Sequence, residues 1–259
     1  MGNKTIFGKT KDGRETYLYE LTNGNGMKAY VTDFGATLVR LFAFDKDGKP
    51  VDVVLGYDDA AEYENRGGAL GATVGRSANR IGGARIEIGG VIYELEKNDN
   101  GNNLHSGEDY YQKRIWKVEK QSENEITFLL YSPDGDQGYP GALEMHVTYM
   151  LDDDNGLNIH YEAVPDQDTV INMTNHSYFN LNGHDSGTVL GHKVTLNADC
   201  FTPADAESIP TGEIRSVEGT PMDFRGGKVL GEEIDADYEP LRFGGGYDHN
   251  WVLKNEGRF

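Results

Sequence analysis

The sequence predicts an all-β protein, built as a sandwich or a barrel. Three observations carry this. Segments with apolar residues at every second position recur along the chain. Turn residues separate them, with glycine at 34 of 259 positions, roughly twice the usual share. Helical periodicity is scant, and only 60–66 and 227–234 read as short helices.

The elements follow in order. Segment 15–21 alternates, and Asn23, Gly24, Asn25 and Gly26 turn it into 27–32. Segment 85–88 meets Gly89-Gly90 and then 91–95, a strong short-range hairpin signal because two adjacent glycines supply the positive φ of a tight turn. Segments 116–120 and 125–131 form a further pair. Segment 143–151 turns through Asp152 to Gly156 into 157–163, and 189–196 and 250–254 complete the strands. The acidic, glycine-containing stretches 134–141, 152–156 and 235–239 read as surface loops. No fixed-period repeat and no Pro/Ser linker interrupts the chain, so one continuous domain over 1–259 is expected.

Bulk chemistry narrows the function. Against 24 Lys and Arg stand 43 Asp and Glu, a net charge of -19. Nucleic acid and anionic membranes both want clustered cations, so neither is an expected partner. Fifteen Tyr, ten Phe and two Trp speak for a packed core rather than disorder. Cys200 is the single cysteine, which rules out an internal disulfide and fits a reducing compartment. The opening MGNKTIFGKT has no apolar signal core, and Ile6 stands where a myristoylation pattern needs Ser or Thr. No apolar run is long enough to span a membrane, and a cytoplasmic location is expected.

Nucleotide-binding and metal motifs are absent. Asp152-Asp153-Asp154-Asn155-Gly156 resembles a calcium loop only superficially, since its glycine is misplaced and no Glu closes it. The seven histidines show no HExxH spacing, and no metal is expected.

Four polar clusters remain. In Gly75-Arg76-Ser77-Ala78-Asn79-Arg80-Ile81, two arginines and an amide at i, i+3 and i+4 suit a polar cavity, because Arg offers a rigid fork of donors. Read alone, the cluster is more readily a surface turn with solvated arginines. His105, in Asn102-Asn103-Leu104-His105-Ser106-Gly107, is a candidate acid, base or donor near neutral pH, or an ordinary loop histidine. In the segment 172–181, Thr174, His176 and Tyr178 share one face of an extended chain. Hydroxyl, imidazole and phenol make a poor core face and a good sugar platform; a satisfied buried histidine is the alternative. Finally, Gly244-Gly245-Gly246-Tyr247 delivers Asp248 to the mouth of a strand, where a carboxylate can accept from vicinal sugar hydroxyls; a plain turn is the alternative.

Together these clusters resemble, in order and wording, the aldose 1-epimerases, or galactose mutarotases. The family-like phrases are GRSANRI at 75–81, NLHSG at 103–107, NHSYFNL at 175–181, Thr202-Pro203, IPTG at 209–212, PMDFR at 221–225 and YDHN at 247–250. The resemblance implies a large antiparallel β-sandwich of the galactose mutarotase-like type, with a sugar cleft, that interconverts the α and β anomers of free aldohexoses such as galactose and glucose. It implies no metal or organic cofactor. By motif match, His176 is the general acid at the ring oxygen and His105 its partner there. Asp248 holds sugar hydroxyls, Asn79 and Arg80 contact or brace the substrate, and Tyr178 lies beside His176.

The family's general base is a glutamate well downstream of the Asp248 motif. This chain ends at Phe259, and Glu256, the only carboxylate after Asp248, sits in no matching motif. The usual base and several C-terminal strands of the family are therefore expected to be absent from this chain, as in a truncated product, a split protein or a repurposed homologue. An open sheet edge would then invite self-association or a complementing chain. The competing functional reading is a non-catalytic sugar-binding or sensor module using the same cleft. An epimerase of phosphorylated hexoses would want a further basic patch, and a glycoside hydrolase would want two facing carboxylates.

Overall fold

The computed structural model describes residues 3–254. The chain divides into two compact units, Met1–Ser186 and Gly187–Phe259.

In the first unit, β1 (Lys4–Lys9), β2 (Glu15–Thr22), β3 (Lys28–Thr32), β4 (Thr37–Phe44) and β5 (Pro50–Asp52) form an antiparallel sheet in sequence order. The Asn23 carboxamide shapes the β2–β3 turn by accepting the N–H groups of Asn25 and Met27. Helix α1 (Ala60–Arg66) follows, capped by the Asp59 carboxylate on the Glu62 N–H at 2.9 Å. Two short strands come next, β6 (Thr73–Val74) and β7 (Arg80–Ile81). The hairpin β8 (Arg85–Ile88) and β9 (Val91–Glu94) turns through Gly89 and Gly90 at φ 60° and 82°, as their sequence predicts. Strand β10 (Asn103–Leu104) pairs with β7.

A second antiparallel sheet runs β11 (Lys117–Gln121), β12 (Glu125–Ser132), β13 (Leu143–Leu151), β14 (Leu157–Pro165). The alternation of β13 fixes its facing. Leu143, Met145, Val147, Tyr149 and Leu151 are all fully buried, and the residues between them are not. They meet Tyr19 and Leu21 of β2, Ala29 and Val31 of β3, and Leu38 and Leu41 of β4 in one core. Tyr19 and Phe128 pack edge-on with ring centroids 5.9 Å apart, and the Tyr149 hydroxyl donates to the Ala36 carbonyl at 2.8 Å. The first unit is thus an antiparallel sandwich. Truncating one of these β13 side chains to Ala would cost about 2–5 kcal/mol. The Asp152–Gly156 segment is a turn, closed by the Asp152 carboxylate accepting the N–H groups of Asp154 and Gly156.

Strand β15 (Thr174–Asn175) pairs with β6. In the second unit β16 (Lys193–Val194) pairs with β19 (Lys228–Val229), and β17 (Ala198–Thr202) lies between β18 (Arg215–Ser216) and β20 (Asn250–Leu253). Phe201, Val217, Met222 and Leu241 form its core.

Two expectations need correction. The helix expected over 227–234 is instead β19 and a 3-10 turn at Leu230–Glu232. The helix of this unit is α2 (Glu239–Gly244), started by Pro240 and stopped by Gly245 in the left-handed region. The strand expected over 189–196 shrinks to β16, because residues 189–192 turn, with the His192 N–H on the Val189 carbonyl. Strand β4 escapes the alternation test for a physical reason. Leu38 faces the sandwich core while Val39 packs with Phe7, Phe34 and Ala60 of α1, so both of its faces are apolar. Among the described residues no helix is long and apolar enough to cross a membrane.

Candidate active site

Inside the first unit, a cavity of about 460 Å³ is lined by His105, His176, Tyr178, Ala72, Gln112, Lys113, Tyr63 and Arg66, among others. Each histidine is fixed by its backbone.

His176 follows β15 directly. Its N–H donates to the Ala72 carbonyl at 2.9 Å, and its carbonyl accepts the Gly71 N–H at 3.0 Å. Asn175 turns the other way, donating to the Gly71 carbonyl and to the Tyr149 hydroxyl. The alternation read from the sequence thus continues past the end of the strand. His176 and Tyr178 lie on one side, with ring centroids 5.2 Å apart. Thr174, expected on the same face, is not among the cavity-lining residues.

Gly71 is the tight point of this arrangement. Its φ is 67°, and a Cβ there would stand 1.9 Å from the Leu38 carbonyl oxygen. Gly71→Ala should therefore destabilise the protein by at least about 1–2 kcal/mol from the left-handed backbone alone, and should displace His176. Chemical denaturation followed by circular dichroism checks the first effect, and an unchanged midpoint would contradict it.

His105 follows β10. Three successive residues, His105, Ser106 and Gly107, take φ of 54°, 70° and 103°. The buried Ser106 hydroxyl locks this reversal by accepting the Ser77 N–H at 2.8 Å. The His105 N–H donates to the Asn79 carbonyl at 3.0 Å, and the Asn79 N–H donates to His105 Nδ1 at 3.0 Å. The rings of His105 and His176 meet edge-on, 5.4 Å apart at 88°.

Burial, then the nearby His176 and Arg80, pushes the His105 pKa down to about 4. In the unfolded chain the ring titrates near 6.5. Between about 4 and 6.5 the unfolded state binds the extra proton, so this group's contribution is full above pH 6.5 and is lost as pH falls towards 4. Relative to His105→Gln, the wild type should lose stability on acidification through that window. Urea midpoints at pH 4.5 and 7.5 measure it, and an equal difference at both would refute the shift.

The GRSANRI cluster divides. Arg80 Nε donates to the Asp99 carboxylate at 2.6 Å beside His105, and Asn79 is exposed, with its Oδ1 accepting the Arg80 N–H at 2.9 Å. Neither is among the cavity-lining residues. Arg76 is wholly buried, donating to Ser132 Oγ, to Thr169 Oγ1 and to the carbonyls of Pro133 and Pro140. Nearby, Arg114 clamps Asp136 with two contacts of 2.6 and 2.8 Å.

Asp248 belongs to the second unit, where it is exposed after α2, with its N–H on the Gly246 carbonyl. Glu256 lies outside the described residues.

Sequence reasoning missed Tyr63 and Arg66 from α1, and Gln112 and Lys113 from the 3-10 turn Tyr111–Lys113. Gln112 Oε1 is buried with no donor among the described residues. The polar, aromatic run 109–114 was the available signal, but a single 3-10 turn has no period to reveal which side chains converge.

The fold defines a class. It matches the crystal structure of galactose 1-epimerase from Lactobacillus acidophilus with TM-score 0.87 and 29% identity, covering 100% of this chain and 75% of that one. It matches an aldose epimerase homologue from C. elegans with TM-score 0.85 and 34% identity, covering 93% and 73%. This is the galactose mutarotase-like β-sandwich. The family model described as Aldose 1-epimerase matches residues 17–258, and the chain belongs to that family. It is 39% identical to the aldose 1-epimerase of Escherichia coli K12 over 246 residues, 95% of this chain and 70% of that protein. It is 40% identical to the galactose mutarotase of Mus musculus over 251 residues, 97% and 71%.

Proposed function

We propose that the protein is an aldose 1-epimerase acting on free aldohexoses such as galactose and glucose. The observation that carries this is the pair of imidazoles facing one cavity, His105 and His176, on a chain of this family. Opening a hemiacetal needs a proton delivered to the ring oxygen and one removed from the C1 hydroxyl. The aldehyde then turns about C1–C2 and recloses on its other face. His176 supplies the proton at the ring oxygen as general acid. His105 assists at the same oxygen, and Tyr178 offers a ring against which the sugar can lie. The base at C1 is none of these residues.

Asp248 is proposed, on its motif alone, as an acceptor for sugar hydroxyls. Asp248→Ala should raise KM by about tenfold with a smaller change in kcat, as expected for a lost charge-assisted hydrogen bond of roughly 1.5 kcal/mol. An unchanged KM would remove it from the site.

Polarimetry of freshly dissolved α-galactose or α-glucose tests the function. A rate above the buffer baseline, proportional to protein, is expected. A baseline rate with calorimetric sugar binding would instead support the non-catalytic binding module. A baseline rate with no binding would sink both.

A further inference from the structure

The His105 ring lines the cavity, and its Nδ1 accepts the Asn79 backbone N–H at 3.0 Å. The clamp is reciprocal, because the His105 N–H donates to the Asn79 carbonyl, also at 3.0 Å. It is also braced on both sides. Beyond it Leu104 pairs with Arg80 in the β7–β10 ladder, and before it Ser77 is tied to the Ser106 hydroxyl. Asn79 and His105 both hold left-handed backbone, at φ 61° and 54°. The Asn79 side chain takes no part, since its Oδ1 is turned to the Arg80 N–H.

A ring nitrogen that accepts a hydrogen bond carries no proton, so in the neutral ring the proton sits on the other nitrogen. We propose that the Asn79 backbone amide fixes His105 as its Nε2–H tautomer, which makes His105 a standing hydrogen-bond donor to the cavity and Asn79 its positioning residue. The ring would have to place N–H against N–H to become doubly protonated. His105 is therefore excluded from proton transfer, and His176 alone exchanges a proton with the ligand. The division suits the geometry. Two imidazolium ions with rings 5.4 Å apart would repel, and the charge is needed on the ring that delivers the proton. The low pKa of His105 is consistent with this. The consequence for catalysis rests on the aldose 1-epimerase reading, whereas the tautomer does not.

The test is long-range ¹H–¹⁵N NMR on full-length protein labelled in histidine, with His105 assigned by the signals missing from His105→Gln. Expected is an unprotonated Nδ1 and a protonated Nε2 from pH 8 down to about 5. A proton on Nδ1, a tautomer mixture, or double protonation with a midpoint near 6.5 would overturn the proposal. Asn79→Gly keeps the N–H and tolerates positive φ, so it should preserve the tautomer; its loss there would count against the backbone assignment. An amide-to-ester replacement at position 79 removes the N–H donor and keeps the side chain. It should give mixed tautomers and a midpoint moved up towards 6.5, and an unchanged spectrum would overturn the role of Asn79. If polarimetry finds no activity while NMR finds the Nε2–H form, the functional reading fails and the tautomer stands.

Discussion

His176→Gln should lower kcat for mutarotation by about 10²–10⁴-fold, the usual worth of one positioned acid or base. The amide of Gln keeps a donor of similar size but cannot give up its proton. The fold should survive, because His176 is anchored through its backbone N–H and carbonyl to Ala72 and Gly71, not through its ring. Sugar affinity should change little, so the loss falls on kcat rather than KM. Polarimetry across substrate concentration, with calorimetric binding as control, measures the split. Activity within about threefold of wild type would remove His176 from the acid role and with it the mechanism proposed here.

Arg76→Leu should destabilise the protein by about 3–5 kcal/mol. No part of Arg76 reaches solvent. Its guanidinium satisfies Ser132 Oγ at 2.9 Å, the Pro140 carbonyl at 2.9 Å, the Pro133 carbonyl at 3.1 Å and Thr169 Oγ1 at 3.1 Å. Leucine removes the guanidinium donor from the Pro140 carbonyl, Thr169 Oγ1 and Ser132 Oγ, while the Pro133 carbonyl keeps the Asp136 N–H, and each buried orphan costs about 1–3 kcal/mol. The half-buried Asp136 would keep its Arg114 partner, so the penalty comes from orphaned oxygens rather than an uncompensated carboxylate. Arg76→Lys should recover only part, since an ammonium lacks the planar fork that reaches several acceptors at once. By contrast the exposed Arg66–Glu62 pair is worth about 0–1 kcal/mol. Urea unfolding followed by circular dichroism decides the matter, and a loss under about 1 kcal/mol would refute the bracing role.

The contrast between these two residues shows what was legible. His176 was readable because its face follows from alternation, a property of the extended backbone itself, and its neighbour Tyr178 confirms the side. The hairpin at Gly89-Gly90 and the buried face of β13 were readable for the same kind of reason. Helix α2 was not. Its Pro240 start and Gly245 stop stood in the sequence, but the helix of Glu239–Gly244 is too short to display a 3.6-residue period. The cavity wall from Arg66, Gln112 and Lys113 was equally hidden, because these side chains converge from segments with no shared pattern.

By itself the sequence determined the all-β class, the strand and turn order of most of the two main sheets, and the motifs carrying both histidines. These depend on short-range sterics and on spacing, which travel with the chain. Only the tertiary structure decided that Arg76 is buried under four acceptors while Arg80 pairs with Asp99, although the two lie four positions apart in one motif. It alone set the low pKa of His105 and the partner of its Nδ1. What a charged or titratable group becomes depends on its desolvation and on its nearest partners, and those partners are supplied by distant segments of the chain.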